Sequence, residues 1–338
     1  MPEGLKDSRR GAGGYALVML VWVMAILTML ALGFSRNMTA GNALMANATS
    51  SIQAELYAES AFERGLHALL NPGEGESWKL DGTVYQFNHE DVRLGFSIQN
   101  ERGKIDINMA EPAVLRAMFE AVLSSEDREN GLEISPDMMV DRLLDWRDKD
   151  ELTRLQGAEY AEYEAQDYAV GPTNQPFRSI KELQQVLGMN RNLYEKLDNM
   201  VTVHSLSKGL NPLYSTENSL RMLPGIAEEQ LDVFLSAREE NDYANSDLPL
   251  PVMSGEYNFL DQNRASVYTV TGRADLPSQV SYLISMLVLK LDHEENVTSG
   301  DNKLAYRIVE VRKEGQVPYQ SASGEDSGVS VVLMDNGF

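Results

Sequence analysis

The sequence predicts an α+β protein in which a long N-terminal helix leads into a small sheet that is interrupted by a helical block. Three observations support this fold class. Residues 15–34 form an uncharged apolar run that continues at helical spacing. Short β-branched or alternating runs flank a mostly helical, acidic stretch from about residue 101 to residue 260. Strands on both sides of a helical block favour one domain with an insertion, and separate domains in series are the alternative.

The long helix follows from the apolar run and from the absence of helix breakers after it. Twenty residues, 15–34, span about 30 Å as a helix, which is one bilayer core. No strong breaker appears until Asn71 and Pro72, so we expect one helix over residues 15–70. Arg9 and Arg10 precede the run and predict a cytoplasmic N-terminus with the remainder in the periplasm.

Three interpretations of this N-terminus remain open from the residues alone. A cleaved signal peptide has a shorter apolar core, although the small residues near Ala43 would suit its cleavage site. A plain signal anchor needs no cleavage. A prepilin-type leader over residues 1–14 would be cut between Gly14 and Tyr15, and the apolar helix would survive in the mature protein.

The remaining chain divides by composition into sheet, insertion and tail. The predicted strands occupy residues 83–88, 92–99, 266–273, 280–292 and 304–312. The predicted domains are a helix over 15–70, an α/β domain from 71–100 and 263–312, an inserted helical domain over 101–262, and a disordered tail over 313–338.

Composition excludes several function classes. The 338 residues carry a net charge of −22 and a pI of about 4.6, which opposes binding to nucleic-acid phosphates and to anionic lipid. The chain has no cysteine, so disulfides, thiol nucleophiles and cysteine-ligated metals are excluded. Membrane attachment must therefore be hydrophobic.

Glycine turns punctuate the helical block. Pro112 opens one helix, and turns at Gly188 and Gly225 each separate two helical segments, which is the form of a helix-hairpin-helix unit. Related units hold DNA backbones through turn amides. No basic patch surrounds these turns, so packing as small helical bundles is favoured.

Carboxylates are concentrated in residues 141–151, DRLLDWRDKDE, and again from Glu159 to Asp167. Hard oxygens of this kind hold Ca²⁺, but the spacing is not that of an EF-hand loop. A solvated acidic helix end is the competing interpretation. Calcium gains support only if the two segments converge. Trp146, between Asp145 and Arg147, is predicted to anchor the helical core together with Phe177 and Leu183.

Catalysis has little support in the sequence. The four histidines are far apart along the chain and lack acidic partners at motif spacing: His67, His89, His204 and His293. No zincin, nucleophile-elbow or phosphate-loop motif is present. We therefore predict a protein that is not an enzyme, with a membrane-anchored periplasmic enzyme as an alternative.

The N-terminal and central motifs together resemble the K-type minor pseudopilins of type II secretion systems, the general secretion pathway protein K family. The junction GG-YALVML resembles the family's cleavage site, and Met19 replaces the glutamate that ordinary pilins carry five residues after the cut. Ile107-Asn108 with Ala110 and Leu115 resembles the element before the first helical unit. The central run matches in order and spacing: Asp145-Trp146, Asp148, Asp150, Gly157-Ala158-Glu159, Tyr163, Tyr168, Asn174, Pro176-Phe177 and Glu182-Leu183.

This resemblance implies a pilin-like fold with a helix-hairpin-helix or SAM-like insertion, a single-pass inner-membrane location, and a place at the pseudopilus tip. Implied partners are the I-type and J-type minor pseudopilins, other pseudopilins through their N-terminal helices, and the prepilin peptidase with its N-terminal methylation, but no nucleic acid. Calcium is a family feature, and Asp148, Asp150 and Glu159 are the candidates here. A minor subunit of a type IV or competence pilus that contacts DNA or surfaces is the alternative.

Met19 has a physical explanation within that resemblance. A glutamate at this position pairs with the N-terminal amine of the subunit ahead, and a first subunit has none ahead. An unpaired carboxylate in lipid is costly, whereas Met19 is not. Tyr15 would still offer an amine to the following subunit.

Overall fold

A computed structural model describes residues 13–71, 78–123, 134–222, 225–240, 248, 251, 266–291, 306–317 and 331–334. By internal contacts the chain forms two compact units, Met1–Gln53 and Ala54–Phe338. The predicted α+β class is confirmed, because a long helix, a sheet and a helical block are all present.

Helix α1 runs from Gly13 to Leu70 without a break and confirms the predicted helix over 15–70. Its character changes along its length. In the second unit, small and apolar side chains at helical spacing are buried: Ala54, Ala58, Ala61, Phe62 and Leu66. The helix ends where the amide of Asn71 donates to the carbonyl of His67 at 3.0 Å.

The main sheet has six strands in the order β7-β6-β5-β2-β1-β8. Neighbours are antiparallel except β8, which is parallel to β1. The strands are β1 (Asp81–His89), β2 (Val92–Asn100), β5 (Val267–Asp275), β6 (Ser281–Lys290), β7 (Tyr306–Val317) and β8 (Val331–Leu333). All five predicted strands are confirmed, with ends that differ by a few residues.

The predicted disordered tail from residue 313 is wrong for two segments. Strand β7 continues through Lys313 to Val317 because β6 extends beside it and supplies the pairing. Strand β8 pairs Val331 with Val84 of β1, and the next amide, Met334, donates to the carbonyl of Gln86 at 2.8 Å. The other tail residues lie outside the described part of the chain.

Helix α1 packs against the sheet through an unusually close backbone contact at Gly272 of β5. A Cβ at that position would lie 2.2 Å from the carbonyl oxygen of Ala58 and 2.5 Å from the amide nitrogen of Phe62. Trp78 closes one end of this core, with its ring 4.9 Å from that of Tyr85. The helix can approach this closely only because residue 272 has no side chain.

The insertion has its own hydrophobic core of buried side chains, distinct from the one beneath α1. Short helices surround it: α2 (Pro112–Val122), α3 (Pro136–Arg147), α4 (Tyr160–Ala165), α5 (Arg191–Leu197), α6 (Glu217–Met222) and α7 (Glu228–Glu240), with 3-10 turns at Glu101–Gly103 and Ile180–Gln185. Two short strands that the sequence did not predict, β3 (Ile105–Asp106) and β4 (Val201–Thr202), pair in parallel. The predicted end of the insertion at 262 lies outside the described residues.

The insertion leaves and rejoins the sheet between two neighbouring strands. Asn100, the last residue of β2, pairs with Tyr268 near the start of β5. The next residue, Glu101, is buried and accepts hydrogen bonds from Thr269 of β5 at 2.7 Å and from Thr202 of β4. Burial alone would raise the pKa of Glu101, but Lys104 and these hydroxyls hold it below its ordinary value. This carboxylate therefore ties the insertion to the sheet.

Candidate assembly helix and acidic cluster

The first part of α1 is a continuous apolar surface. Tyr15–Arg36 spans 22 residues with mean hydropathy 2.6, and none of its hydropathy window is buried. At 1.5 Å per residue this length crosses a hydrocarbon core. Among the described residues it is the one helix that is long and apolar enough to do so, and its length and composition fit a single-pass anchor.

The predicted assembly residues lie at the beginning of this surface. Gly14 and Tyr15 are in the first turn of α1, and Tyr15 is 83% exposed. Met19 is 71% exposed and follows Tyr15 by four residues, so both lie on the same side of the helix. Cleavage between Gly14 and Tyr15, and the role of Met19, stay predictions.

The acidic cluster is centred on Asp145, at the buried side of α3. Its side chain is fully buried, and Oδ2 accepts hydrogen bonds from the amides of Arg154 at 3.1 Å and Ala158 at 3.0 Å. The other oxygen, Oδ1, lies 3.0 Å from Nε of Arg154. Burial raises the pKa of Asp145, and neighbouring Asp148 adds to the increase, while the amides and Arg154 oppose it.

Gly157 makes room for this carboxylate. A Cβ on Gly157 would lie 1.8 Å from Oδ2 of Asp145, so no other residue fits without moving the aspartate. The loop from α3 to α4 can therefore fold back over Asp145 only with glycine at this position. Asp145 and Gly157 are in contact only when this loop is folded.

Asp148 and Asp150, two of the predicted calcium candidates, differ in their surroundings. Asp148 Oδ2 lies 3.0 Å from Nη2 of Arg154, so one guanidinium bridges Asp145 and Asp148. Asp150 is exposed, and its Oδ1 accepts the amide of Leu152 at 3.0 Å. The structure thus joins Asp148 to the central aspartate and leaves Asp150 on the loop surface.

Glu159, the third candidate, is 6% exposed at the start of α4. Its amide donates to Oε2 of Glu162 at 2.9 Å. Burial raises the pKa of Glu159 to about 7, and the negative charges of Asp145, Asp148, Asp150 and Glu151 add to the increase. The charges of the two acidic segments therefore interact, although no three of their carboxylates in the described residues form a metal-binding group.

The residues fit a hard cation in their chemistry but not in a finished coordination shell. Within the described ranges, no three Asp, Glu or His side chains are grouped so as to hold a metal ion. However, the buried oxygens Asp148 Oδ1 and Glu159 Oε1 accept no hydrogen bond, whereas Asp145 Oδ1 is ion-paired with Arg154. Such oxygens are the ligands that Ca²⁺ prefers.

Sequence reasoning named Asp145 as a member of the acidic run and of the central family-like run, but not as a buried centre, and it did not consider Arg154. Asp145 is buried because the loop between α3 and α4 folds back over it, and no local sequence pattern predicts that fold-back. The prediction for Trp146 is confirmed, since it is fully buried and stacks on Phe177 with ring centroids 6.0 Å apart. Leu183 joins the same core.

The three histidines within the described residues lie in two different places. His67 and His89 both line a cavity of about 610 Å³ between α1 and the β1–β2 hairpin, together with Tyr57, Trp78 and Phe87. His204 is half-buried, 4.0 Å from Glu310. His293 lies outside the described residues.

A long N-terminal helix that packs on a largely antiparallel sheet is a pilin-like fold, and in this chain a helical domain is inserted between two of the strands. Within that class, residues 103–205 match a family described as "Type II secretion system (T2SS), protein K". The resemblance to the K-type pseudopilins is thereby confirmed over the first part of the insertion.

One curated protein and one solved structure are also similar to this chain. The "Putative type II secretion system protein K" of Escherichia coli (strain K12) is 28% identical over 176 residues, which are 49% of this chain and 52% of that protein. The chain thus matches about half the length of this curated relative. A crystal structure of the GspK-GspI-GspJ complex from enterotoxigenic Escherichia coli matches with a TM-score of 0.50 and 14% identity, covering 80% of this chain and 98% of that chain. At that identity the likeness establishes the fold alone.

Proposed function

We propose that this chain is a minor pseudopilin that caps the tip of a type II secretion pseudopilus and is anchored in the inner membrane by α1. The match of residues 103–205 to the protein K family carries the proposal. The N-terminus would be cytoplasmic and the remainder periplasmic, after removal of residues 1–14 by a prepilin peptidase. Its role is structural, not enzymatic.

Two features of the chain support a place at the tip. Met19 removes the carboxylate that an incoming pilin offers to the subunit ahead, so this helix needs no such subunit. The insertion, between β2 and β5, adds a second hydrophobic core to the pilin-like sheet, and this bulk would obstruct a further subunit above it.

The proposed partners are I-type and J-type minor pseudopilins. Co-expression of the full-length chain with both should give a ternary complex that survives purification in detergent. A chain that purifies alone, but shifts DNA in a mobility assay, would instead favour the pilus or competence subunit. Turnover of a substrate by the purified chain would favour the periplasmic enzyme.

We also propose that Ca²⁺ binds at the acidic cluster, where Asp148 and Glu159 would hold it together with water, while Asp145 stays paired with Arg154. The oxygens Asp148 Oδ1 and Glu159 Oε1, which are buried and accept no hydrogen bond, support this proposal, as does the raised pKa of Glu159, because a cation would relieve the repulsion among the neighbouring carboxylates. Bound calcium would stabilise the loop between α3 and α4. Asp150, exposed and bonded to its own loop, would be at most peripheral.

Thermal unfolding with Ca²⁺, Mg²⁺ or chelator tests this proposal. Calcium at a hundredfold excess over its Kd should add about 2.7 kcal/mol to the free energy of unfolding. E159Q should lose that increment, whereas E195Q, which alters an exposed ion pair with Arg191 on α5, should keep it. Equal stabilisation of both variants, or none in the wild type, would reject this site.

A further inference from the structure

We propose that the acidic loop between α3 and α4, residues 148–158, together with the exposed side of α4, is a docking surface for another protein whose contacting segment is both apolar and basic. This inference does not depend on the filament assignment or on calcium. It follows from how the loop is held, from which side chains it exposes and from its charge.

The backbone of this loop is fixed by carboxylates. Four alternate amides each donate to an aspartate at 3.0 to 3.1 Å, in the pairs Leu152–Asp150, Arg154–Asp145, Gln156–Asp141 and Ala158–Asp145. The amide of Gly157 also donates to the carbonyl of Arg154 at 3.1 Å. A loop held in this way loses little conformational freedom when a partner binds.

The fixed loop presents large apolar side chains to solvent. Leu155 is 96% exposed, Leu152 is 78% exposed, and Tyr160 on α4 is 67% exposed. None of the three belongs to either hydrophobic core. Polar contacts, not packing, therefore determine where the leucines stand, and covering them would remove apolar area from water. Apolar side chains exposed together on a fixed backbone mark a surface that a partner can cover at low entropic cost.

The residues next to these apolar side chains in the chain are strongly acidic, and we call them the acidic rim. Between Asp148 and Tyr168 the chain has seven carboxylates and two cationic side chains. Asp150, Glu151 and Glu164 are all exposed. An apolar centre with a charged rim is the usual anatomy of an interface, and this rim complements a basic partner.

The charge also argues against other occupants. A second copy placing the same surface face to face would bring two acidic rims together. A second copy also carries the net charge of −22, so long-range repulsion opposes its approach. Anionic lipid and nucleic acid are disfavoured for the same reason.

Two designed amphipathic peptides of equal length and identical leucine face test the proposal, one with lysine and one with glutamate on the polar face. Fluorescence anisotropy measures their binding to the full-length chain in nanodiscs of zwitterionic lipid, in calcium-free buffer. The leucine–lysine peptide should bind, and the leucine–glutamate peptide should not. L152Q/L155Q should weaken binding by about tenfold, since it removes both anchors without changing charge.

The matched control is V233Q, which replaces a side chain that is 71% exposed on α7. V233Q should bind the lysine peptide as the wild type does. Equal binding by L152Q/L155Q and the wild type would overturn the proposal, because attraction would then be general to an acidic protein. Sedimentation of the wild type and the same variants tests whether a second copy of the chain binds to this surface instead. A wild-type dimer that L152Q/L155Q converts to a monomer would assign the surface to a second copy and also overturn the proposal.

Discussion

The close contact between α1 and Gly272 makes a quantitative prediction about the stability of the pilin-like core. In G272A the new methyl would lie 2.2 Å from the carbonyl oxygen of Ala58 and 2.9 Å from Cα of Phe62. An unstrained contact requires about 3.5 Å, so helix and sheet must separate by more than about 1 Å. Because the opposing atoms are backbone, no side-chain rotation can relieve the clash.

The expected cost is about 3 kcal/mol, at the upper end of the range for overpacked cores. Separation of α1 also loosens the contacts of buried Ala58 and Phe62. With a urea dependence of about 3 kcal/mol per M, the unfolding midpoint should fall by about 1 M. Tryptophan fluorescence of the detergent-solubilised chain follows the transition, since Trp78 packs edge-on against Phe96 in this core.

G95A on the neighbouring strand is the matched control. A Cβ on Gly95 would have its nearest contact at 3.4 Å, from a methyl group of Val84, which is ordinary packing. This variant should change the free energy of unfolding by less than about 0.5 kcal/mol. If G272A unfolded at the same urea concentration as G95A, the close helix–sheet approach would be incorrect.

Three further predictions concern the candidate sites. G157A should cost about 2 kcal/mol or more in urea unfolding, because its methyl displaces Asp145 from two amides, and a variant as stable as G95A would contradict that geometry. The folded-state pKa of Glu159, about 7, lies above the ordinary 4.5, so the folded chain binds a proton there and should lose stability as pH rises from about 4.5 to about 7. In urea unfolding without calcium, the midpoint of E159Q should not fall over this pH range. Parallel pH profiles of the wild type and E159Q would contradict the raised pKa of Glu159. M19E should reduce ternary-complex yield and secretion by placing an unpaired carboxylate in lipid, at a cost of roughly 3 kcal/mol, whereas M19L should not; full activity of M19E would refute the tip argument.

The sequence was sufficient for the elements whose patterns are local. Helix α1 could be predicted from an apolar run that no proline interrupts. The five long strands could be predicted from alternation and β-branching. The short elements were missed because partners far along the chain stabilise them. Strand β8 has three residues and depends on β1, and β3 has two residues and depends on β4.

The acidic cluster was likewise predicted only in part, because the sequence shows its composition but not its tertiary contacts. The richness in carboxylates of residues 141–167 was visible in the sequence, and so was the candidacy of Asp148 and Glu159. The sequence could not show that Asp145 is the buried centre or that Arg154 returns to bridge it. That arrangement depends on a fold-back over Gly157, which only the assembled loop reveals.

The pairing of Asn100 with Tyr268 has a consequence for how such proteins can diversify. Directly paired residues of antiparallel strands lie about 5 Å apart, which a tight turn can span. The residues between these two positions are therefore an insertion in what would otherwise be a β-hairpin. A change in the length of the insertion therefore need not alter the registers of the six-stranded sheet.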